Sequence, residues 1–593
     1  MKTGIAFGDF IQKEKLGRGR DSYQEGKSGF REFFLIFCLF LCLFFLFGRL
    51  FYLQVLQGDY YRGLSDSNRI RTVVIHAPRG VIFDRAGNPL VYNLPGFRKE
   101  KDNKTILLGE EQALSLMAKG EKDLEIDSLR FYPYKEVLSQ VLGYIGQVSV
   151  DELKTPKFSD YKGGDLVGKA GIELEYEGKL KGVDGKQLVE VASSGNVERK
   201  LGQTDPISGR DLTLNIDLGL QKTLFDALDS VQKGAALVTT PNGEVLAMVS
   251  KPSFDPNLFT MGEAYKAASQ SAYQSVSNIL SDQVNQPLLN RVLEGLYPPG
   301  STFKIVVAAT GLEDQIIDSN YQVEDTGVIN VGDFSFSNWF YTGYGRTDGL
   351  VNVVKGIQRS NDIFFYRLAE KIGPDKISEM AQKLKLDKKS GIDLPGEAKS
   401  LIPSTSWKEK TIGEPWFLGD TYHYGIGQGY VLATPLQVNL WTQVIANGGS
   451  LYKPHLLNDG KDPLLGKNLL SQSTTDLIRD GMIKACSPGG VAWPLFDFQV
   501  KNSKIKIDSK NFLSAPQASS SSEFSDYRQV VVACKTGTAQ QGGEGEKPHA
   551  WITLFAPAYN PQIVATFLVE GSGEGANVAA PIAKKVLDYW FSR

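Results

Sequence analysis

Two side chains three residues apart, Ser301 and Lys304, could together perform nucleophilic catalysis. The Pro298-Pro299-Gly300 turn before them cannot continue a helix, so a helix is predicted to begin at or next to Ser301. Residues three apart share one helix face, which places the hydroxyl beside the ammonium. A lysine among buried apolar residues has its charged form disfavoured and can accept the serine proton near neutral pH. The alternative is a capping serine with a solvated lysine.

Two further motifs strengthen the prediction of chemistry. Ser360-Asn361-Asp362 stands at the head of an apolar helix, where taken alone it would be an ordinary helix cap. Lys535-Thr536-Gly537-Thr538 directly follows a β-branched run, so it lies on a strand that can pair with an extended substrate backbone. Gly537 lacks the Cβ that would block such an approach. These motifs, in this chain order, form the acyl-serine transferase set.

The segments around the motifs predict an α+β sandwich, in which five strands of one sheet are framed by helices. A Pro-Asn-Gly turn between two apolar runs is a strong hairpin signal near the start of this domain. Its end carries three more strands and a helix from Ile582 to Phe591, opened by Pro581. A Ser-rich run, residues 502–525, is predicted to be a solvated loop. The five predicted strands are residues 235–238, 244–249, 530–534, 551–555 and 563–569.

An uncharged apolar run at Phe33–Gly48, continued past Arg49 to Leu56, predicts a single transmembrane helix over residues 33–56. A cleaved signal peptide is the alternative, but no small-x-small cleavage site follows. The basic residues before the run predict that residues 1–32 form a cytoplasmic tail and that the remainder lies outside the cytoplasm. These basic residues are Lys2, Lys13, Lys15, Arg18, Arg20, Lys27 and Arg31.

Composition excludes several other classes of protein. Charge is balanced, with 65 Lys+Arg against 67 Asp+Glu, and no basic stripe indicates nucleic-acid binding. Four Cys among 593 residues cannot form a disulfide scaffold, and Cys534 is expected to be a small buried residue that fills space. No Cys or His stands at ligand spacing, so a zinc site is not expected. His423 and His549 are too poorly paired for a Ser-His-Asp triad.

With these motifs, nearly the whole chain resembles a class B penicillin-binding protein, a monofunctional D,D-transpeptidase of peptidoglycan synthesis. The resemblance implies a mostly β pedestal over residues 57–212. It also implies a transpeptidase domain over residues 213–593, with a five-stranded antiparallel sheet flanked by helices. The glycosyltransferase domain of class A relatives has no room in the chain. Further segments are similar to family signatures, namely Arg79–Arg85 near the membrane, Gly168–Glu173 in the pedestal, Gly425–Tyr430 with Thr434–Gln437, and His549–Trp551.

The resemblance also implies a role for each motif residue. Ser301 attacks the penultimate D-Ala carbonyl of a stem peptide, Lys304 acts as base, and Ser360 relays a proton to the leaving amine. The backbone N–H groups of Ser301 and Thr538 form the oxyanion hole. Lys535 would also lower the proton affinity of Lys304 by like-charge repulsion. No metal or other cofactor is implied. The implied substrate-binding residues are Asp362, Lys535, Thr536, Gly537 and Thr538.

One position departs from the usual family pattern. The third residue of the second motif is usually Asn, and here it is Asp362. An ionised Asp can only accept hydrogen bonds, and it would favour the protonated form of Lys304. Elongation-type relatives, resembling penicillin-binding protein 2, tolerate Asp there, so we interpret it as a mark of that subtype. The runs Phe364–Ala369 and Gly413–Thr421 favour the same type.

The resemblance implies three partners: stem peptides ending in D-Ala-D-Ala, β-lactams as covalent inhibitors, and a SEDS-family membrane glycan polymerase. The implied location is the bacterial inner membrane, with a single-pass anchor and an ectodomain outside the cytoplasm. Two alternatives stay open. One is a β-lactam-hydrolysing or β-lactam-sensing protein on the same acyl-serine fold. The other is a non-catalytic scaffold that activates a glycan polymerase.

Overall fold

The computed structural model describes residues 29–101, 104–121, 124–192, 197–262, 264–514, 526–542 and 545–593. The chain divides into two compact units, one of residues up to 73 with 187–203 and one of residues 74–186 with 204–593. Residues 1–28 of the predicted tail, with all its basic residues except Arg31, fall outside the described residues. Its orientation therefore stays a prediction.

The N-terminal apolar run forms one long helix. Helix α1 (Gly29–Phe51) continues into a π-helical turn, Tyr52–Leu56, and none of its side chains is buried. These 28 residues make a helix long and apolar enough to cross a membrane. The Arg49 guanidinium lies 5.5 Å from the Tyr52 ring centre, near the end of the helix. Both side chains suit a membrane interface.

The region between this helix and residue 214 is mostly β, as predicted. Three of its strands form one sheet in the order β1-β8-β9, and five form another built around β3. The strands are β1 (Ile70–Ile75), β2 (Ile82–Phe83), β3 (Pro89–Lys101), β4 (Lys104–Leu108), β5 (Glu125–Phe131), β6 (Ile145–Gln147), β7 (Leu166–Gly168), β8 (Gly185–Val191), β9 (Val197–Thr204) and β10 (Leu212–Thr213). The helices are α2 (Gly58–Arg69), α3 (Glu110–Ala118), α4 (Ser139–Leu142), α5 (Gly171–Glu175) and α6 (Glu177–Leu180).

Two segments singled out in the sequence, around Arg79 and Glu173, meet in a buried ion cluster. Arg79 Nη2 lies 2.8 Å from carboxylate oxygens of both Glu173 and Glu177, and Arg130 Nε lies 2.7 Å from Glu173. Burial alone would raise the pKa of Glu173, but Arg130 and Arg79 outweigh it and the pKa is lowered. The Glu173 carboxylate therefore stays ionised. Through Arg79, Glu173 and Glu177 join the segment before β2 to α5 and α6.

The remainder of the chain is the α+β part. Its strands are β11 (Gly234–Thr239), β12 (Val245–Lys251), β13 (Gln322–Asp325), β14 (Val328–Val331), β15 (Phe334–Ser337), β16 (Gly349–Asn352), β17 (Leu451–Tyr452), β18 (Leu464–Gly466), β19 (Gln499–Lys501), β20 (Phe512–Ser514), β21 (Tyr527–Val530), β22 (Ala533–Ala539), β23 (His549–Ala556) and β24 (Ile563–Val569). Its helices are α7 (Leu218–Ala227), α8 (Asn257–Thr260), α9 (Val276–Ser281), α10 (Lys304–Glu313), α11 (Trp339–Tyr344), α12 (Val353–Arg359), α13 (Asp362–Ile372), α14 (Pro374–Lys383), α15 (Thr405–Thr411), α16 (Leu418–Gly425), α17 (Pro435–Ala446), α18 (Gln472–Ala485) and α19 (Ala579–Ser592).

A five-stranded antiparallel sheet, in the order β12-β11-β24-β23-β22, forms the centre of this part. Side chains of a strand alternate between its two faces. Ala235 and Leu237 of β11 join the core with α10, α13 and α17, whereas Ala236 and Val238 join the core with α7 and α19. Both faces are therefore covered, and the predicted sheet flanked by helices is confirmed.

Two predicted segments near the third motif are wrong in detail. The strand predicted over residues 530–534 is two strands of different sheets, because β21 ends at Val530 and pairs with β19 and β20, while β22 begins at Ala533. The residues on both sides of the break are apolar, so the sequence pattern does not reveal where one strand ends and the next begins. The loop predicted over residues 502–525 contains β20, and its residues 515–525 lie outside the described chain.

Candidate active site

Ser301 lies in a single 3-10 turn, Gly300–Phe303, that leads directly into α10. Gly300 has φ +53°, a left-handed conformation that favours glycine, and its N–H donates to the Gly427 carbonyl at 2.9 Å. Ser301 is half-buried, and its hydroxyl has no hydrogen-bond partner within the described parts of the chain. The hydroxyl is thus free to attack a substrate.

Lys304, the first residue of α10, is fully buried and is held by the second motif. Its Nζ donates to Asp362 Oδ1 at 2.7 Å and to the Ser360 carbonyl at 2.8 Å, and it lies 3.4 Å from Ser360 Oγ. Burial lowers the pKa of Lys304, and Asp362 opposes that shift without reversing it. Lys304 therefore loses its proton more readily than an exposed lysine, as a general base must.

Ser360 links α12 to α13 in the left-handed conformation, with φ +52°. This conformation is uncommon for a residue with a Cβ and is typical of functional sites when it is enforced by neighbours. Asn361 supplies the enforcement. Its side chain caps α13 by accepting the Phe364 N–H at 2.9 Å, and it donates to Asp325 at 2.8 Å and Asp348 at 3.1 Å. The motif is therefore both a helix cap and a fixed turn.

Both carboxylate oxygens of Asp362 accept hydrogen bonds. Oδ1 faces Lys304, and Oδ2 accepts the Trp339 N–H at 3.0 Å. Asn338 accepts the Asp362 N–H at 3.2 Å and donates to Asp325 at 2.9 Å. Sequence reasoning missed Asp325, Asn338 and Trp339, because isolated residues in the segment between the first two motifs form no recognisable pattern. Their hydrogen bonds hold the second motif in place.

Lys535 is fully buried on β22, the terminal strand of the sheet, and reaches the second motif. Its Nζ donates to Ser360 Oγ at 2.8 Å and to the Thr536 carbonyl at 2.8 Å. Burial lowers the pKa of Lys535 well below its usual value, repulsion from Lys304 adds to the shift, and Asp362 opposes it. The structure thus joins the three motifs through one serine hydroxyl.

Glycines allow β22 to lie directly against the nucleophile turn. A Cβ on Gly300 would lie 2.9 Å from the Thr538 carbonyl oxygen, and a Cβ on Gly537 would lie 3.0 Å from Thr302 Cγ2 and 3.2 Å from the Pro299 oxygen. Gly537 is therefore needed to leave room for the nucleophile turn itself. This reason comes in addition to the predicted one, that a glycine lets the substrate backbone approach. Thr538 is exposed beside this contact.

Cys534, just before Lys535, forms a disulfide with Cys486 at the C-terminal end of α18. The expectation that Cys534 only fills space is therefore wrong. The two Cα atoms are 5.9 Å apart, an ordinary spacing for a disulfide. The sequence could not pair these residues because 48 positions separate them and only the fold brings α18 to β22.

Comparisons with known proteins agree with this arrangement. The family described as penicillin binding protein transpeptidase domain matches residues 234–588, and the penicillin-binding protein dimerisation domain matches residues 121–214. The peptidoglycan D,D-transpeptidase MrdA of Acinetobacter baumannii is 31% identical, over 100% of this chain and 90% of that protein.

Two solved structures extend the likeness to the fold. Pseudomonas aeruginosa PBP2, in complex with WCK 5153, gives a TM-score of 0.66 at 33% identity, covering 88% of this chain and 96% of that one. A chain of a peptidoglycan synthase complex, described as coordinating polymerization and crosslinking, gives 0.68 at 27% identity, covering 96% and 99%. The predicted fold class and enzyme type are confirmed, and the chain belongs to the penicillin-binding protein transpeptidase family.

Proposed function

We propose that this chain is a peptidoglycan D,D-transpeptidase that cross-links stem peptides through an acyl-enzyme on Ser301. The observation that carries the proposal is the network in which Lys304 and Lys535 both reach the Ser360 hydroxyl. Lys304 lies three positions after Ser301, whose hydroxyl has no hydrogen-bond partner among the described residues. The MrdA relative and the PBP2 structure support a role in cell-wall elongation.

In the first step, the Ser301 oxygen attacks the carbonyl of the penultimate D-Ala, and its proton passes to the neutral amine of Lys304. The amide bond to the terminal D-Ala then breaks, and the leaving amine receives a proton through Ser360. Ser360 Oγ suits this relay because it lies 3.4 Å from Lys304 Nζ and 2.8 Å from Lys535 Nζ. General-base catalysis of this kind contributes about 10²–10⁴ in rate.

Lys535, Thr536 and Thr538 would hold the carboxylate of the terminal D-Ala. That carboxylate would raise the pKa of Lys535 again and keep its ammonium charged, which reverses the effect of burial. The backbone N–H groups of Ser301 and Thr538 would stabilise the tetrahedral oxyanion, each contributing about 3 kcal/mol. The close packing of Gly300 on the Thr538 carbonyl supports this pairing.

In the second step, an amine of a neighbouring stem peptide attacks the carbonyl of the Ser301 ester and gives a proton to the neutral Lys304. Lys304 then donates this proton to the serine oxygen as the ester bond breaks. One edge of β22 has no neighbouring strand in the described chain, so an extended peptide can align along it past Gly537. Asp362, which the resemblance places in substrate binding, would act here by orienting Lys304, because the protein's own donors already occupy both of its oxygens.

The N-terminal helix is proposed to anchor the chain in the bacterial inner membrane, with residues 1–32 in the cytoplasm. Residues 57–212 and 213–593 would then be the pedestal and transpeptidase domains outside it. The Cys486–Cys534 disulfide supports a location outside the cytoplasm, because disulfides persist in oxidising compartments. The likeness to a chain of a synthase complex supports a polymerase partner, for which we propose a SEDS-family protein.

Labelling with a fluorescent penicillin tests the proposal against both alternatives. A transpeptidase should keep the label for many minutes, whereas rapid release of the label would favour a β-lactam hydrolase. Ser301→Ala should abolish labelling and fail to support growth in cells that depend on this protein. Normal growth with Ser301→Ala would instead favour the scaffold that activates a polymerase.

A further inference from the structure

The disulfide between Cys486 and Cys534 links two sides of the active site. On one side, Cys534 immediately precedes Lys535 on β22. On the other side, Cys486 follows α18, which packs on α12. The packing is tight, because a Cβ on Gly481 of α18 would lie 2.7 Å from the side chain of Ile357 of α12. Helix α12 ends directly before the second motif.

The loop after Cys486 also contacts the end of α12, just before the second motif. The Gly489 carbonyl accepts hydrogen bonds from Arg359 Nη1 at 3.3 Å and from Gln358 Nε2 at 3.4 Å. These are the last two residues before Ser360. The disulfide thus connects the strand that carries Lys535 to the helix and loop that brace Ser360.

We propose that the Cys486–Cys534 disulfide is a positioning element that holds Lys535 Nζ at hydrogen-bond distance from Ser360 Oγ during acylation. This rests on the proposed function, because the contact affects the rate only if both residues take part. The geometry supports it in two ways. Among the described residues, strand β22 has a neighbouring strand on one edge only, and the two residues before it, Val531 and Val532, belong to no strand.

If the disulfide only stabilised the fold, a different experimental result would be expected. Such a bond acts mainly on the unfolded chain and changes the melting temperature without changing the rate of a folded enzyme. A positioning bond changes the rate itself, since displacing a catalytic group by about 1 Å can slow a reaction by about a hundredfold. Measuring the rate constant of the covalent step well below the melting temperature therefore distinguishes the two roles.

The experiment compares full-length wild type, Cys486→Ala and Cys534→Ala, reacted with a fluorescent penicillin at several concentrations. Ser487→Ala is the matched control, because it lies next to Cys486 but its hydroxyl donates only to the Ile483 carbonyl, at 2.8 Å. We expect the rate constant of the covalent step to fall about tenfold or more in both Cys variants and to stay unchanged in the control.

Wild-type rates in both Cys variants, with only a lower melting temperature, would overturn the inference. If the variants fail to fold, wild type is treated with a dithiol, which gives two protein thiols and the oxidised cyclic dithiol. The rate should then fall, and it should recover on reoxidation; an unchanged rate overturns the inference. Alkylation of both Cys486 and Cys534 in untreated protein from the cell envelope would also overturn the inference, because it would show that the disulfide is not formed there. Wild type that never forms a Ser301 adduct would instead contradict the proposed function.

Discussion

The Asp362 carboxylate lies 2.7 Å from the Lys304 ammonium, and its second oxygen accepts the Trp339 N–H at 3.0 Å. Both oxygens therefore face donors. An asparagine has one acceptor oxygen and one donor nitrogen, so it could satisfy only one of the two. Asp at this position therefore accepts from two donors that Asn could not satisfy together. The same carboxylate limits how far burial lowers the pKa of Lys304.

Asp362→Asn should slow penicillin acylation about tenfold or more, because the amide cannot accept from both Lys304 and the Trp339 N–H and so no longer holds the base in position. The carboxylate raises the pKa of Lys304 against burial, so its loss should lower that pKa further. The acid limb of the rate profile should then move to lower pH. Acylation rates measured across the acid and neutral range check this, and a limb displaced to higher pH would contradict it.

Lys535→Met should change how stability depends on pH. Burial lowers the pKa of Lys535 in the folded state, so between that value and the usual lysine value the unfolded chain binds more protons. Wild-type stability from this group therefore rises with pH and is lost as pH falls. The Met variant lacks this loss, so its melting temperature relative to wild type should increase as pH falls. Lys484→Met, about half-exposed, is the control and should show no such trend.

Gly427→Ala should disturb the nucleophile turn. The added Cβ would overlap the Gly300 carbonyl oxygen, and Gly427 has φ +76°. Gly429→Ala is a matched control with φ +74°, whose Cβ would meet only His423 Cβ, at 3.3 Å. Both variants should lose about 1 kcal/mol or more through backbone strain. Acylation should fall far more in Gly427→Ala, and equal losses of acylation would refute the importance of the contact with Gly300.

Glu173→Gln should destabilise the buried ion cluster of Arg79, Arg130, Glu173 and Glu177 without changing the chemistry. Arg79 keeps its ion pair with Glu177, but Arg130 loses its carboxylate partner, and an uncompensated buried charge costs about 3–5 kcal/mol. Glu175→Gln, on the exposed side of the same helix, is the control and should have little effect. Thermal unfolding and acylation at room temperature are the two measurements. A slower acylation in folded Glu173→Gln protein would contradict a purely structural role.

The motif residues and the central sheet could be predicted because their signals are local. Ser301 and Lys304 follow a turn that starts a helix, and β24 coincides with the predicted residues 563–569. What the sequence could not show depends on contacts between distant segments. The Cys486–Cys534 bond and the support of the second motif by Asp325 arise only when separate elements pack together.

Mass spectrometry of the protein after penicillin treatment tests the acyl-enzyme most directly. The adduct should be one penicillin per chain, on the peptide that contains Ser301, and Ser301→Ala should carry none. An adduct on any other residue, or one that persists in Ser301→Ala, would contradict the assignment of the nucleophile.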